Sequence, residues 1–352
     1  MTFIINLVLP ENYFDNAATT PLHPAALEAM LPWLTTQHGN PHSLHSWGAR
    51  SHYAVEQART EITELLNLED PSQIIFTSGA TESCNTFFNL SQNLQISPFE
   101  HSALRVPAKL KGIPIIPNQG HSINPDPTKT LILTACSNET GALYSTTQPW
   151  FCDATQIIGK LPFDLSQTQA AAFSAHKFGG PMGVGVLYLQ DPNILSESNA
   201  HQAGGGQEHS RRSGTLNVPG IIGLATALRI ALQNQEQTTS HVRNLRQILQ
   251  EELHLPMNDG PQQSPDIASI TIPRIVAQNL VLELDRHGFA ISSGAACSSA
   301  STEPSPVLIA LGLSPAEAQS TIRISFSAQN TPESTKTLAI ELKKAVQSLR
   351  TT

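Results

Sequence analysis

Short apolar runs separated by amphipathic stretches limit this fold more than any other feature. The runs are "QIIFTSG" (73–79), "TLILTACSNETG" (130–141), "WFCDATQIIG" (150–159), "AAFSAHKFGG" (171–180) and "VGVLYLQ" (184–190). Each is short and bounded by turn residues, as a buried strand is. Between them lie helix-like patterns, such as Ala54, Ala58, Ile62, Leu65 and Leu66 at three- and four-residue spacing. Strands alternating with helices predict an α/β fold with a mainly parallel sheet. A polar run, "NQEQTTS" (234–240), precedes a second αβ section. There "DIASITI", "FAISSG" and "IRISFS" read as strands, and "IVAQNLVLELDRHG" reads as a helix closed by Gly288. The last helix should start at Pro332 with Thr331 as its cap. At 352 residues two domains are expected. The larger spans about 15–240; the smaller takes 241–352 and packs the first 14 residues.

Composition excludes several classes of function. The chain is 39% hydrophobic and 14% charged, with a net charge of −8 and no basic stripe. Nucleic acid is therefore not an expected partner. No apolar run approaches the roughly 18 residues of a membrane span, and the N-terminal "MTFIINLVLPEN" has neither the basic region nor the cleavage site of a signal peptide. The four cysteines have no CxxC spacing and read as thiols of a reducing cytoplasm. His38, His42 and His45 are too loosely spaced, and too interrupted by glycine and proline, to predict a metal site.

The chemistry gathers around Lys177 in "FSAHKFGG". Most lysines are solvated, but one among small residues can lose its proton and form a Schiff base with a carbonyl. "FTSGATES" breaks after a strand into a helix, a turn that can present N–H groups to phosphate, although many strand-to-helix turns look alike. Asp153 follows an apolar strand. It is either a helix cap or, in a site for pyridoxal phosphate (PLP), the partner of the pyridine nitrogen. Gln156 is either polar helix surface or a donor to the ring oxygen. His101, in "PFEHSAL", is either exposed or stacked on a flat ring. Arg323 alone could be an ordinary strand arginine. Cys297 differs from Cys84, Cys136 and Cys152, which sit in or beside apolar runs. Its neighbours in "ISSGAACSSAS" are Gly, Ala and Ser, which marks it as the reactive thiol.

Taken together, the chain resembles the cysteine desulfurases, PLP-dependent enzymes of fold type I in the class V aminotransferase branch. The matching segments are "FDNAATTPLHP", "GNPHSLHSWG", "IIFTSGATES", "FEHSAL", "SNETGAL", "FCDATQIIGKLPFD", "FSAHKFGGPMGVGVLY", "GGGQEHSRRSGTLNVPG", "ISSGAACSSAS" and "STIRISFS". They run in the family's order from residue 14 to residue 327. The resemblance implies a large domain with a mainly parallel seven-stranded sheet and a smaller α+β domain. It implies that Lys177 bonds PLP, Asp153 pairs with the ring nitrogen, Gln156 meets the ring oxygen and His101 stacks on the ring. Ala80, Thr81, Ser174 and His176 would hold the phosphate, and Thr215 would reach the phosphate of a second subunit in a homodimer. Asn138 and Arg323 would bind the substrate carboxylate, a task suited to arginine's planar fork.

The implied reaction converts L-cysteine to L-alanine and leaves the sulfur on Cys297 as a persulfide. The sulfur would pass to an acceptor protein for iron–sulfur cluster assembly or thio-modification. Selenocysteine lyase, class V aminotransferase and a non-catalytic PLP-binding sulfur carrier are the alternatives. An aminotransferase has no use for the Cys297 segment, and a non-catalytic carrier would not need Lys177 and Arg323. Two departures from the family stand out. The 84–130 region is short, rich in proline, and should lack a helix usual there. Ser137 stands where relatives carry a second asparagine.

Overall fold

A computed structural model describes residues 9–294 and 303–351 of the chain. Two helices come first, α1 (Pro24–Thr35) and α2 (Ser46–Leu65). Strand β1 (Ile74–Thr77), helix α3 (Ala80–Leu90), strand β2 (Leu94–Ile96) and helix α4 (Ser102–Leu110) follow, then a small hairpin of β3 (Asn118–Gln119) and β4 (Ser122–Ile123). Next come β5 (Thr130–Thr134), β6 (Trp150–Asp153), β7 (Ala170–Ser174) and β8 (Gly185–Leu189). The order across the main sheet is β1-β8-β7-β6-β5-β2. Strands β2, β5, β6 and β7 are parallel, and β8 runs antiparallel to both β1 and β7.

Both faces of this sheet are buried, which is why its strands read as continuous apolar runs. Alternate residues serve opposite faces. Ile74, Phe76, Leu131, Leu133, Ala171 and Phe173 cluster with α2 and with α5 (Val218–Gln233). Ile75, Ile132, Ala170, Ala172 and Leu187 cluster with α3 and α4. The result is three layers with the strand ends open at one edge.

The sheet has six strands among the described residues, against the seven expected. The seventh position, beside β2, is reduced to one parallel bridge between Ile96 and Ile115. Pro114 and Pro117 flank it, and proline has no N–H to extend a ladder. Between α4 and β5 the described chain contains only the β3–β4 hairpin.

The second section begins with α6 (Gln235–Leu253), β9 (Ile267–Thr271), α7 (Ala277–Arg286) and β10 (Ser292–Ser293). It ends with α8 (Pro306–Ala310), α9 (Pro315–Gln319), β11 (Thr321–Ser325) and α10 (Pro332–Thr351). Strand β11 lies between β10 and β9, antiparallel to both. Ile322, Ile324, Ala268 and Ile270 pack with α6, α7 and α10 in a separate apolar cluster, which Phe14 joins. Thr331 caps α10 as its sequence predicts, accepting the Ser334 N–H at 3.0 Å. Among the described residues no helix is long and apolar enough to cross a membrane.

Candidate active site

The open strand ends of the main sheet and the polar face of β11 enclose a cavity of about 480 Å³. Strand β1 ends at Thr77, and the chain turns through Ser78 and Gly79 into α3. Gly79 has φ +155, and its Cα would lie 2.6 Å from a Cβ placed on Gly185 of β8. Two glycines are thus needed where these backbones meet. The turn leaves the first N–H groups of α3 beside the cavity wall formed by Ala80 and Thr81. Ser174, at the end of β7, is buried and adds its hydroxyl to that wall.

Asp153 ends β6. It is buried, lines the cavity, and accepts the Thr155 N–H at 3.0 Å. Lys177 lies one short helical turn beyond β7, and its Nζ donates to the carbonyls of Ala17 (2.8 Å) and Ala18 (2.7 Å). His176 meets the Thr19 hydroxyl at 3.1 Å. Burial, helped by the charges of Lys177 and Lys160, pushes its imidazole down to about 4, so it is neutral near pH 7. His101 caps α4, its Nδ1 accepting the Ala103 N–H at 3.1 Å; the neutral ring therefore carries its proton on Nε2.

Gln156 is also buried in the cavity wall. Its Nε2 donates to Ala17 O and its Oε1 accepts from Lys160 Nζ, both at 2.8 Å. Arg323 is fully buried at the centre of β11. Its Nη1 donates to Asn138 O (2.8 Å) and its Nη2 pairs with Asp15 Oδ1 (2.7 Å). Its Nε and the Thr155 hydroxyl are buried without a hydrogen-bond partner among the described residues. Ser137 turns its hydroxyl inward to accept the N–H groups of Glu139 and Thr140, which shapes the loop that presents Asn138.

The cavity therefore gathers Ala80, Thr81, His101, Asn138, Asp153, Gln156, Ser174, His176, Lys177 and Arg323. Thr215 is exposed and is not among its lining residues. The turn carrying it is tied to α3 by a two-pronged ion pair from Arg212 to Glu82 (2.7 and 3.0 Å). Cys297 lies outside the described residues. Cys84, Cys136 and Cys152 are buried, and burial pushes all three thiols up, which makes them poor nucleophiles. Of His38, His42 and His45, His38 stacks on Trp47 and His45 caps α2.

Two groups escaped the reading of the sequence. Glu100 is fully buried beneath the cavity, accepting the Thr134 N–H (2.8 Å) and the Ser97 hydroxyl. Burial and then the nearby Asp153 charge push its carboxyl up to about 8, against the pull of its hydrogen bonds. The other is the Asp15–Ala18 segment, whose carbonyls hold Lys177 and whose Asp15 holds Arg323. It is visible in the sequence as the matching segment "FDNAATTPLHP", whose low bulk lets backbone come close, but no role is assigned to its residues there.

PLP presents a phosphate, a flat ring with a basic nitrogen, and an aldehyde. The cavity offers N–H groups and a hydroxyl at one end, a buried carboxylate, an amine, and an arginine whose Nε has no partner among the described residues. These residues fit the group. The comparisons agree. The model of the Aminotransferase class-V family matches residues 12–338. The mouse (Mus musculus) cysteine desulfurase is 34% identical, with 93% of this chain and 79% of that protein aligned. Cysteine desulfurase IscS of Salmonella paratyphi B is 35% identical over 96% of this chain and 93% of its own. A solved NifS-like protein superposes with a TM-score of 0.84 at 31% identity, covering 97% of this chain and all of its own. The chain belongs to the class V aminotransferase family and, within it, to the cysteine desulfurases. It is a PLP-dependent enzyme of fold type I.

Proposed function

We propose that this enzyme takes L-cysteine at the cavity between the two sheets and delivers its sulfur to Cys297. The observation that carries this reading is the convergence of Lys177, Asp153 and Arg323 on one cavity from β7, β6 and β11. PLP, when bound, would supply an electron sink for the electrons released at the substrate. Lys177 would hold the cofactor aldehyde through its amine, and Lys177 or a nearby group would move the α-proton. Asp153 keeps the ring nitrogen protonated, and Gln156 directs an N–H to the ring oxygen. His101 covers one face of the ring. Ala80, Thr81, Ser174 and His176 receive the phosphate, His176 as a neutral donor. Arg323 and Asn138 orient the substrate carboxylate.

The Cys297 thiolate attacks the substrate sulfur. The C–S bond breaks, sulfur stays on Cys297 as a persulfide, and the carbon takes a proton to become alanine. The exposure of Thr215, on a turn held by Arg212 and Glu82, supports a homodimer in which it reaches the neighbouring phosphate. The separate apolar clusters support a division into 15–240 and 1–14 with 241–352. Three free thiols among the described residues support a cytoplasmic location. The persulfide would pass to an acceptor protein serving iron–sulfur cluster assembly or thio-modification.

Product analysis tests the reading. Purified holoenzyme given L-cysteine should form alanine, with one added sulfur on Cys297 by mass spectrometry. Cys297→Ser should keep the yellow cofactor and its spectral response to cysteine, yet release almost no alanine. Added sulfur on Cys84, Cys136 or Cys152, or wild-type alanine output from the variant, would refute it.

A further inference from the structure

Lys160 lies outside the group that reads as catalytic, yet it is bonded to one member of it. It follows Gln156 by four residues on the turn after β6. Its Nζ donates to Gln156 Oε1 at 2.8 Å and to Asp266 Oδ2 at 2.9 Å. Both ends of that ion pair are largely buried, at 13% and 10% side-chain exposure. Lys160 also lines a second cavity of about 380 Å³, which shares Lys177 with the first. It thus stands in the wall behind the cofactor cavity.

We propose that Lys160 is a positioning residue: it holds the Gln156 amide so that an N–H, and not the carbonyl oxygen, faces the cofactor. The inference rests on the reading of Gln156 beside the ring oxygen. An ammonium has only donors, so the amide oxygen must lie on its side. The amide nitrogen then lies opposite, one N–H on Ala17 O and the other left for the cavity. Ala17 O cannot do this alone, because the same carbonyl also accepts Lys177 Nζ at 2.8 Å. When Lys177 moves to its chemistry, that restraint is shared with a moving partner. The restraint from Lys160 is independent of Lys177. Asp266 in turn fixes Lys160 from just before β9, the strand paired with β11 and Arg323. One line of hydrogen bonds therefore runs from the smaller sheet through Lys160 and Gln156 to the carbonyl that holds the reacting amine.

An N–H turned to the ring oxygen stabilises its negative form. Losing it lets the cofactor keep its proton to higher pH. The test is a pH titration of the visible absorption band of the holoenzyme, without substrate. Gln156→Ala and Lys160→Met should each raise the midpoint by about one unit, the size of one lost hydrogen bond. The double variant should shift no further than either alone, since both remove the same N–H. Lys160→Met leaves Asp266 buried without its cation, so Lys160→Met with Asp266→Asn is titrated beside it, and thermal melts show that each holds its fold. A shift in Gln156→Ala but none in either Lys160 variant would overturn the positioning role alone. Additive shifts would also overturn it, because Lys160 would then act as a bare charge. No shift in Gln156→Ala would remove the reading of Gln156, and this inference with it.

Discussion

The six-stranded and three-stranded sheets supply the cavity in different ways. The larger sheet contributes strand ends. Asp153 and Ser174 end β6 and β7, and Gly79 and Lys177 follow β1 and β7, in a sheet whose two faces are packed under helices. Ladder and packing fix these positions together, so the groups assigned to the cofactor share one rigid edge. The smaller sheet contributes a strand middle. Ile322 and Ile324 of β11 face its core, while Thr321, Arg323 and Ser325 alternate to the other side. Arg323 is held there by Asp15 and by the Asn138 carbonyl, across sequence separations of 308 and 185 residues. The groups proposed for the cofactor and the arginine proposed for the substrate carboxylate thus stand on separately packed sheets that meet at the Asp15–Ala18 segment.

This contrast is most severely tested at Lys177. Lys177→Ala removes the group assigned to both bonding and proton transfer, and turnover should fall by about 10⁴-fold or more. Borohydride should no longer fix the cofactor to the protein; label on another lysine would move the site. Asp153→Asn should come next, with α-proton loss from deuterated cysteine slowed by at least about 10²-fold. Near-normal exchange would remove Asp153 from its role. At Arg323 the two sheets should separate experimentally. Arg323→Lys keeps the charge but loses the planar fork, so KM for cysteine should rise by about 10-fold while PLP content and absorbance stay unchanged. Loss of PLP in this variant would show that the sheets do not act separately.

The last effect is on stability and not on catalysis, at Glu100, which is buried just after β2. Glu100 has a folded value of about 8, above its ordinary 4.5. Its contribution to stability is therefore intact below about pH 4.5 and is lost as pH rises through about 8. Glu100→Gln cannot ionise. It should be more stable than wild type at pH 8, by up to about 4 kcal/mol, with the gap closing near pH 4. Parallel urea-unfolding curves at the two pH values decide it. An equal difference at both would mean that Glu100 does not titrate with folding.

Much of this was legible in the chain itself. Strand runs, helix faces, the Pro332 start of α10 and the burial of Cys84, Cys136 and Cys152 follow from local patterns. So does the order in which Thr81, Asp153 and Lys177 leave their strands, because a parallel sheet brings such strand ends to one edge. The seventh strand shows a limit. "GIPIIPN" is apolar enough to pair, yet its prolines leave a single bridge. Thr215 shows another, since one chain does not bring it to the cavity that its motif is expected to serve.

By itself the sequence determined which segments pair, which faces are apolar and which residues can carry the chemistry, since these depend on neighbours a few positions apart. Only the tertiary structure decided that Asp15 meets Arg323, that Lys160 reaches Asp266 as well as its neighbour Gln156, and that Glu100 is buried close to Asp153. Those facts depend on which surfaces pack together. Desolvation and charge pairing act through space, and between residues 53 to 308 positions apart no local pattern records them.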